Sequence, residues 1–91
     1  MVGHFSGDAV TSGADNAGFG QSALGGLTTG VYNVGIGRAA NLAMTTNSYT
    51  VAVGGNTVAD ADYAVSVGYA ADAGGDYAIA IGSTAYTLSL T

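Results

Sequence analysis

Bulky apolar and small residues alternate in short, regularly spaced blocks along this chain. Five blocks share the pattern apolar–small–apolar–Gly, namely AGFG, VGIG, VAVG, VSVG and IAIG, and a shortened copy, MVG, stands at the start. The glycines that close these blocks, called anchor glycines below, are Gly3, Gly20, Gly37, Gly54, Gly68 and Gly82. Three 17-residue intervals and then two 14-residue intervals separate them, which is typical of a repeat protein in which each repeat is one structural unit.

Each block predicts a short β-strand, because side chains alternate between the two faces of a strand. In the second block, for example, Val34 and Ile36 share one face and Gly35 lies on the other. A repeat of this length has room for two short strands and two turns, so it predicts one coil of a parallel β-roll or β-solenoid with coils stacked about 4.8 Å apart. We therefore expect an all-β fold and one repeat domain over residues 1–91.

Other positions recur in the same register and predict columns along the stack. Tyrosine stands five residues before four of the anchors, which predicts an aromatic ladder of Tyr32, Tyr49, Tyr63 and Tyr77. In the 17-residue repeats a second motif ends in Gly13, Gly30 and Asn47, residue types that favour a left-handed corner. The 14-residue repeats lack this motif, so we attribute their period to one turn that is three residues shorter.

The bulky face of the blocks is expected to point into the coil. A roll of this size then encloses one row of Val and Ile side chains, and the opposite face is nearly bare. The bare face consists of Gly18, Gly35, Ala52, Ser66 and Ala80. Because such strands are expected to be buried on both sides, we predict a homo-oligomer in which other copies of the chain cover the small residues.

Composition narrows the classes of function. The chain holds six Asp, no Glu and a single cation, Arg38, for a net charge of −5, whereas a nucleic-acid or anionic-lipid surface needs clustered Lys and Arg. There is no cysteine, so disulfides and thiolate metal sites are excluded. No apolar run approaches the ~18 residues of a transmembrane helix. We therefore expect no nucleic-acid partner and no membrane insertion.

The sequence offers one motif associated with a cofactor. Residues 35–40, GIGRAA, match the G-x-G-x-x-A of a dinucleotide-binding turn, but that turn stands between a strand and a long helix. Here the motif is one copy of the repeat and leaves no room for the helix, so no cofactor is expected. His4 is the only histidine and lacks a set of catalytic partners. We therefore predict no catalytic residues, no metal site at His4 and no enzymatic activity.

The remaining candidates are polar and aromatic surface residues. Tyr69 and Tyr86 lie outside the ladder and are candidates for contact with a surface ligand such as a sugar ring, with packing against a neighbouring chain as the alternative. We expect Arg38 to pair with an aspartate of another chain. The aspartates of the later turns are interpreted as solvated, with a calcium site as the alternative. They are Asp60, Asp62, Asp72 and Asp76.

Two stretches resemble repeats of known fibrous families. Residues 63–85, YAVSVGYAADAGGDYAIAIGSTA, are similar to the head repeat of trimeric autotransporter adhesins, whose pattern is Ser/Asn-x-Ala-Ile-Gly-x-x-Ala. Residues 16–40, NAGFGQSALGGLTTGVYNVGIGRAA, resemble the TA-x-G-x-x-AL…TTG-x-x-N repeats of bacteriophage tail fibres. The resemblance implies a parallel β-roll assembled as a homotrimer, in a virion tail fibre or on a bacterial surface. The chain has no heptads and no barrel strands, which the adhesin family also needs.

Three functions fit this fold. The leading interpretation is a structural segment of a trimeric, phage-type tail fibre that projects or presents a receptor-binding surface to a cell-surface glycan or protein. The alternative is the head of a bacterial trimeric autotransporter adhesin, whose roll surface itself binds the host. A third hypothesis is an ice- or surface-binding β-solenoid, because the pairs Thr28–Thr29 and Thr45–Thr46 recur in register.

Overall fold

The computed structural model describes residues 1–87, and in this range the chain is a parallel β-solenoid that contains no helix. The predicted domain extends to residue 91, and residues 88–91 lie outside the described part. The strands are β1 (Ala17–Phe19), β2 (Val34–Ile36), β3 (Val51–Val53), β4 (Val58–Ala59), β5 (Val65–Val67), β6 (Asp72–Ala73), β7 (Ile79–Ile81) and β8 (Tyr86–Thr87). They form a first sheet, β1-β2-β3-β5-β7, and a second sheet, β4-β6-β8.

The strand register confirms the predicted parallel stacking of one repeat per coil. Val34 pairs with Val51 across one of the longer repeats, and Val51 pairs with Val65 across one of the shorter repeats. The anchor glycines and the tyrosines stay in their columns across this change. The 14-residue repeats therefore lack three residues between an anchor glycine and the following tyrosine, as the sequence predicts.

Two strands per coil are present only in the shorter coils. In the 17-residue coils the residue four places after the anchor, Leu24 or Asn41, has a φ of 53°, so the backbone turns there. In the shorter coils the corresponding residue, Val58, is extended and begins β4. The longer coils therefore carry one strand of the first sheet and a series of turns in place of the second strand.

The anchor glycines form the predicted column at one corner. Their φ angles lie between 124° and 128°, a conformation that L side chains rarely adopt. A Cβ atom added to Gly54 would also lie 2.8 Å from the backbone carbonyl of Gly68 in the next coil. Both the backbone angle and the close stacking of coils therefore require glycine at this corner.

The predicted left-handed corner at Gly13, Gly30 and Asn47 is wrong. The left-handed residues at that end of the coil come two positions later, at Asp15, Tyr32 and Tyr49, with φ of 59°, 58° and 62°. Of the three earlier positions, Gly13 and Gly30 need glycine for space, because a Cβ atom on Gly13 would lie 2.5 Å from the carbonyl oxygen of Gly30. Close approach of two backbones, and not the sign of φ, selects glycine here.

The predicted orientation of the first sheet is also wrong, because its small residues face inward and its bulky residues face outward. Ala52 and Ala80 are buried, whereas Ile36 is 41% exposed and Ile81 is 68% exposed. The physical reason is the thinness of the shorter coils, whose interior holds only small side chains, namely Thr57, Ser66 and a core of alanines. This core consists of Ala52, Ala59, Ala64, Ala71, Ala73, Ala78 and Ala80.

The longer coils have a wider interior and a different filling. Leu24, Leu27 and Met44 form a second buried cluster. A Cβ atom on Gly35 would lie 2.9 Å from Cγ of Leu24, so glycine replaces alanine in the strand that faces this leucine. The size of the small residue in each block therefore depends on the side chain that packs against it from the opposite side of the coil.

Candidate functional site

Candidate sites on this molecule are surfaces, since no cavity is found within residues 1–87. The motif at residues 35–40 is not a nucleotide loop. Gly35 is the buried centre of β2, and Gly37 is an anchor glycine at a corner that leads into turns. The backbone therefore lacks the strand-to-helix junction that cradles a pyrophosphate.

The outward side of the first sheet is a continuous apolar surface, called the apolar strip below. It consists of Ala17, Phe19, Val34, Ile36, Val51, Val53, Val65, Val67, Ile79 and Ile81. Phe19 and Ile79 are 48% and 49% exposed. A contiguous apolar face on a sheet of this kind marks an interaction surface.

The predicted tyrosine ladder is confirmed at the edge where the strands of the first sheet begin. The ring centroids of Tyr32 and Tyr49 lie 5.3 Å apart, and those of Tyr49, Tyr63 and Tyr77 follow at 5.0 Å each. The last two pairs are within 5° of parallel, which fits offset stacking. All four rings remain about half exposed at their outer edges.

A second column runs along the opposite edge, one residue after each anchor. It contains His4, Gln21, Arg38, Gly55, Tyr69 and Ser83. Arg38 Nε donates a hydrogen bond to Gln21 Oε1 at 3.4 Å, and Asn56 Nδ2 donates to the Tyr69 hydroxyl at 3.3 Å. Both bonds join neighbouring coils, so this edge presents ordered polar side chains beside the apolar strip.

The two candidate ligand tyrosines are both exposed, Tyr69 at 60% and Tyr86 at 63%. They lie on different surfaces, because Tyr69 follows the first sheet and Tyr86 belongs to β8 of the second sheet. Neither ring belongs to the stacked ladder. Contact of either tyrosine with a ligand stays a prediction.

The aspartates of the later turns are divided between structural and exposed roles. Asp62 accepts hydrogen bonds on Oδ1 from the backbone N–H of Ser48 at 3.0 Å and from Asn47 Nδ2 at 3.5 Å. Partial burial, and then the charge of Asp60, raise the pKa of Asp72 above its ordinary value. Within residues 1–87 no group of three or more His, Cys, Asp or Glu side chains is placed to hold a metal ion.

A buried polar column, which the sequence analysis did not identify, lies just inside the tyrosine ladder. Asn33 is fully buried and its Nδ2 donates to Asn16 Oδ1 at 3.1 Å and to the carbonyl of Asn47 at 2.9 Å. Thr50 continues the column, donating its hydroxyl to Asn33 Oδ1 at 2.8 Å. The signal was available, because these residues stand four positions before successive anchors.

Asn41 is the second polar residue that sequence reasoning missed, and it lies where the coil length changes. Its side chain is buried and pairs with the edge of β4 as a peptide group would. Oδ1 accepts from the Ala59 N–H at 2.7 Å, and Nδ2 donates to the Ala59 carbonyl at 3.0 Å. Because the preceding coil has no second strand, the Asn41 amide satisfies the backbone groups that the edge of the second sheet exposes.

The threonine pairs of the longer coils lie in register. The hydroxyl of Thr11 donates to the carbonyl of Thr28, and that of Thr28 donates to the carbonyl of Thr45, each at 3.2 Å. These hydroxyls are therefore used in coil-to-coil bonds and the column covers only the longer coils. An ice- or surface-binding role stays a prediction, and a thermal hysteresis measurement would test it.

Comparisons with protein-family models, with curated proteins and with solved structures find no match to this chain. Within residues 1–87 the structure has no helix with the length and apolar character needed to cross a bilayer. Function is therefore inferred from the apolar strip, its two edges and the buried polar residues.

Proposed function

We propose that this chain is a structural segment of a homotrimeric, phage-type tail fibre that projects or presents a receptor-binding surface. The observation that carries the proposal is the apolar strip, in which Ile79 and Ile81 are 49% and 68% exposed. Both faces of a parallel sheet are normally covered. Here only the inner face is covered, by the second sheet in the shorter coils and by turns in the longer coils. Copies of the same chain provide matching strips that bury one another around a common axis.

The distribution of polar groups supports a structural role. The buried side-chain amides of Asn33 and Asn41 form hydrogen bonds to neighbouring coils, and these bonds stabilise the stack. The described part of the chain measures 30 × 22 × 16 Å, with coils that repeat along one direction. A stack of coils of this kind forms an elongated unit, as a fibre shaft requires.

Sedimentation equilibrium of the full chain tests the assembly. We expect the mass of three chains of 8.8 kDa each, and we expect Ile36→Asn to dissociate the oligomer by placing a polar amide in the apolar strip. Thr29→Asn is the matched control, since Thr29 is exposed on a turn of the longer coils. A wild-type chain that is folded and monomeric at micromolar concentration would overturn the proposal.

The receptor-binding part of the proposal concerns the outer surface of the trimer. Tyr86 projects from β8 and is 63% exposed, and an exposed tyrosine ring can stack on a sugar. Binding of the trimer to cells and to isolated surface polysaccharide is expected to fall with Tyr86→Ala and to be retained with Thr46→Ala. Equal binding by both variants would remove Tyr86 from the receptor site. If the coils bind host cells without any further tip, the adhesin-head alternative is favoured instead.

A further inference from the structure

We propose that copies of this chain assemble with all coils running in the same direction, so that Arg38 of one copy contacts Tyr32 and Asp15 of the next copy. The inference rests on the proposed homotrimer, whose common axis already implies one direction for all stacks, and it adds an independent reason for that direction and one charged contact between the copies. It follows from a difference between the two edges of the first sheet.

The edges of the first sheet carry opposite charge. Its strands are all parallel, so they all begin at one edge, the start edge, and all end at the other, the end edge. The start edge carries the tyrosine ladder together with Asp15, Asp62 and Asp76. The end edge carries Arg38, which is the only Lys or Arg of the chain.

This difference selects one orientation when two apolar strips face each other. If the coil stacks of both copies point the same way, the start edge of one copy lies beside the end edge of its neighbour. If the stacks point in opposite directions, start edge meets start edge and carboxylate meets carboxylate. Complementary charge favours the first arrangement, and juxtaposed like charges disfavour the second.

The level of each residue in the stack identifies the partners. Arg38 follows β2 by two positions and Tyr32 precedes β2 by two positions, so both lie at the level of the same strand. Copies related by rotation without a shift along the stack therefore bring Arg38 of one copy opposite Tyr32 of the next. Gln21 and Asp15 flank β1 in the same way.

The chemistry of the four side chains is complementary. Arg38 Nε is already bonded to Gln21 Oε1 at 3.4 Å, so the two side chains extend from the end edge together. A guanidinium group stacks on an aromatic face and pairs with a carboxylate. Tyr32 is the terminal ring of the ladder and is 54% exposed, and Asp15 occupies the ladder position one coil before it.

The same geometry separates the two candidate ligand tyrosines. Tyr69 lies in the column of Arg38 and therefore belongs to the contact between copies. Tyr86 lies on the second sheet, at the outer surface of the assembly. Contact with a receptor is then expected of Tyr86 and not of Tyr69.

Cysteine cross-linking tests the orientation, because the 91-residue chain contains no cysteine. We expect the double variant Asp15→Cys/Gln21→Cys, oxidised as the native oligomer, to form a closed ring of three chains on a non-reducing gel. We expect the two single variants to form disulfides when mixed and not when oxidised alone. A disulfide between two chains of Asp15→Cys alone would show start edge against start edge and would overturn the inference.

Charge variants test the Arg38 contact itself. We expect Arg38→Glu to raise the concentration at which the oligomer half-dissociates by roughly tenfold or more, and we expect Arg38→Glu/Asp15→Arg to reverse most of that rise. Asp8→Arg is the control for Asp15→Arg, since Asp8 is exposed and distant in the coil from the start edge. An oligomer that is indifferent to Arg38→Glu would refute this contact while leaving the proposed function intact. A monomeric wild-type chain would instead refute the proposed function.

Discussion

Replacement of Asn41 by alanine is expected to be among the most destabilising single changes in this chain. The Asn41 amide occupies the place of a missing strand next to β4, with Oδ1 2.7 Å from the Ala59 nitrogen and Nδ2 3.0 Å from the Ala59 oxygen. Nδ2 also donates to the Thr50 hydroxyl at 3.1 Å. Truncation removes all three bonds in a region where Ala59 is fully buried.

The expected cost follows from the groups left without a partner. An unsatisfied buried N–H or C=O costs about 1–3 kcal/mol, so the two backbone groups of Ala59 together cost on the order of 2–6 kcal/mol. Thr50 retains its bond to Asn33, so it adds little. A loss of this size is a large fraction of the roughly 5–15 kcal/mol that stabilises a typical domain.

Urea denaturation followed by circular dichroism, at one fixed protein concentration, measures the effect. Asn56→Ala is the matched control, because Asn56 has a similar left-handed φ of 55° against 53° for Asn41 and its side chain is exposed. The control measures the loss of the asparagine backbone preference together with one exposed bond to the Tyr69 hydroxyl, which we expect to cost less than about 1 kcal/mol in total. If Asn41→Ala costs no more than Asn56→Ala, the amide does not satisfy the edge of β4 as described.

Three further predictions follow from single side chains. The Ser66 hydroxyl is buried without a hydrogen-bond partner, and the neighbouring coils have alanine in its column. Ser66→Ala is therefore expected to stabilise the fold by about 1 kcal/mol in the same denaturation assay. A clear loss of stability would show that the hydroxyl has a hydrogen-bond partner. Gly54→Ala is expected to cost about 1–3 kcal/mol through its φ of 125°, with a further loss from the 2.8 Å contact of the added Cβ with the Gly68 carbonyl. Gly74→Ala, whose added Cβ has no contact under 3.6 Å, should cost much less, and similar costs would contradict the need for glycine at the anchors. Because the pKa of Asp72 is raised in the folded chain, the stability of the wild type falls as pH rises through the range between the unfolded and folded pKa values. Asp72→Asn should therefore be more stable than the wild type above that range and lose this advantage below it. A difference in stability that does not change with pH would contradict this.

The columns were predictable because they depend on spacing alone. A parallel stack places residues one period apart next to each other, so the positions of Gly54 and Gly68, or of Tyr63 and Tyr77, determine their contacts once the fold class is known. The conformational role of glycine at the anchors was also predictable, since the corner requires both an unusual φ and close approach of the next coil. These inferences use only period and local backbone chemistry.

Orientation and corner geometry could not be predicted in the same way. Alternation in Val34-Gly35-Ile36 separates a bulky face from a small face, but it does not indicate which one lies inside. That depends on the width of the coil, and the width depends on side chains elsewhere in the repeat, such as Leu24 opposite Gly35. Likewise, a glycine at position 30 is consistent both with a left-handed corner and with close packing of two backbones. Only its contact with the next coil shows that close packing is the reason.

The reversed orientation strengthens the reason to expect assembly. Had the isoleucines filled the interior, a single chain would have buried its largest apolar side chains by itself. Instead, the interior of the shorter coils holds only alanine, serine and threonine, and each buried alanine contributes little hydrophobic stabilisation compared with a buried isoleucine. Ile79 and Ile81 can contribute fully only between chains. In the proposed oligomer, folding and assembly are coupled, since association of the folded chain alone stabilises it by mass action. The short period that makes the coil thin also places the apolar strip on its surface.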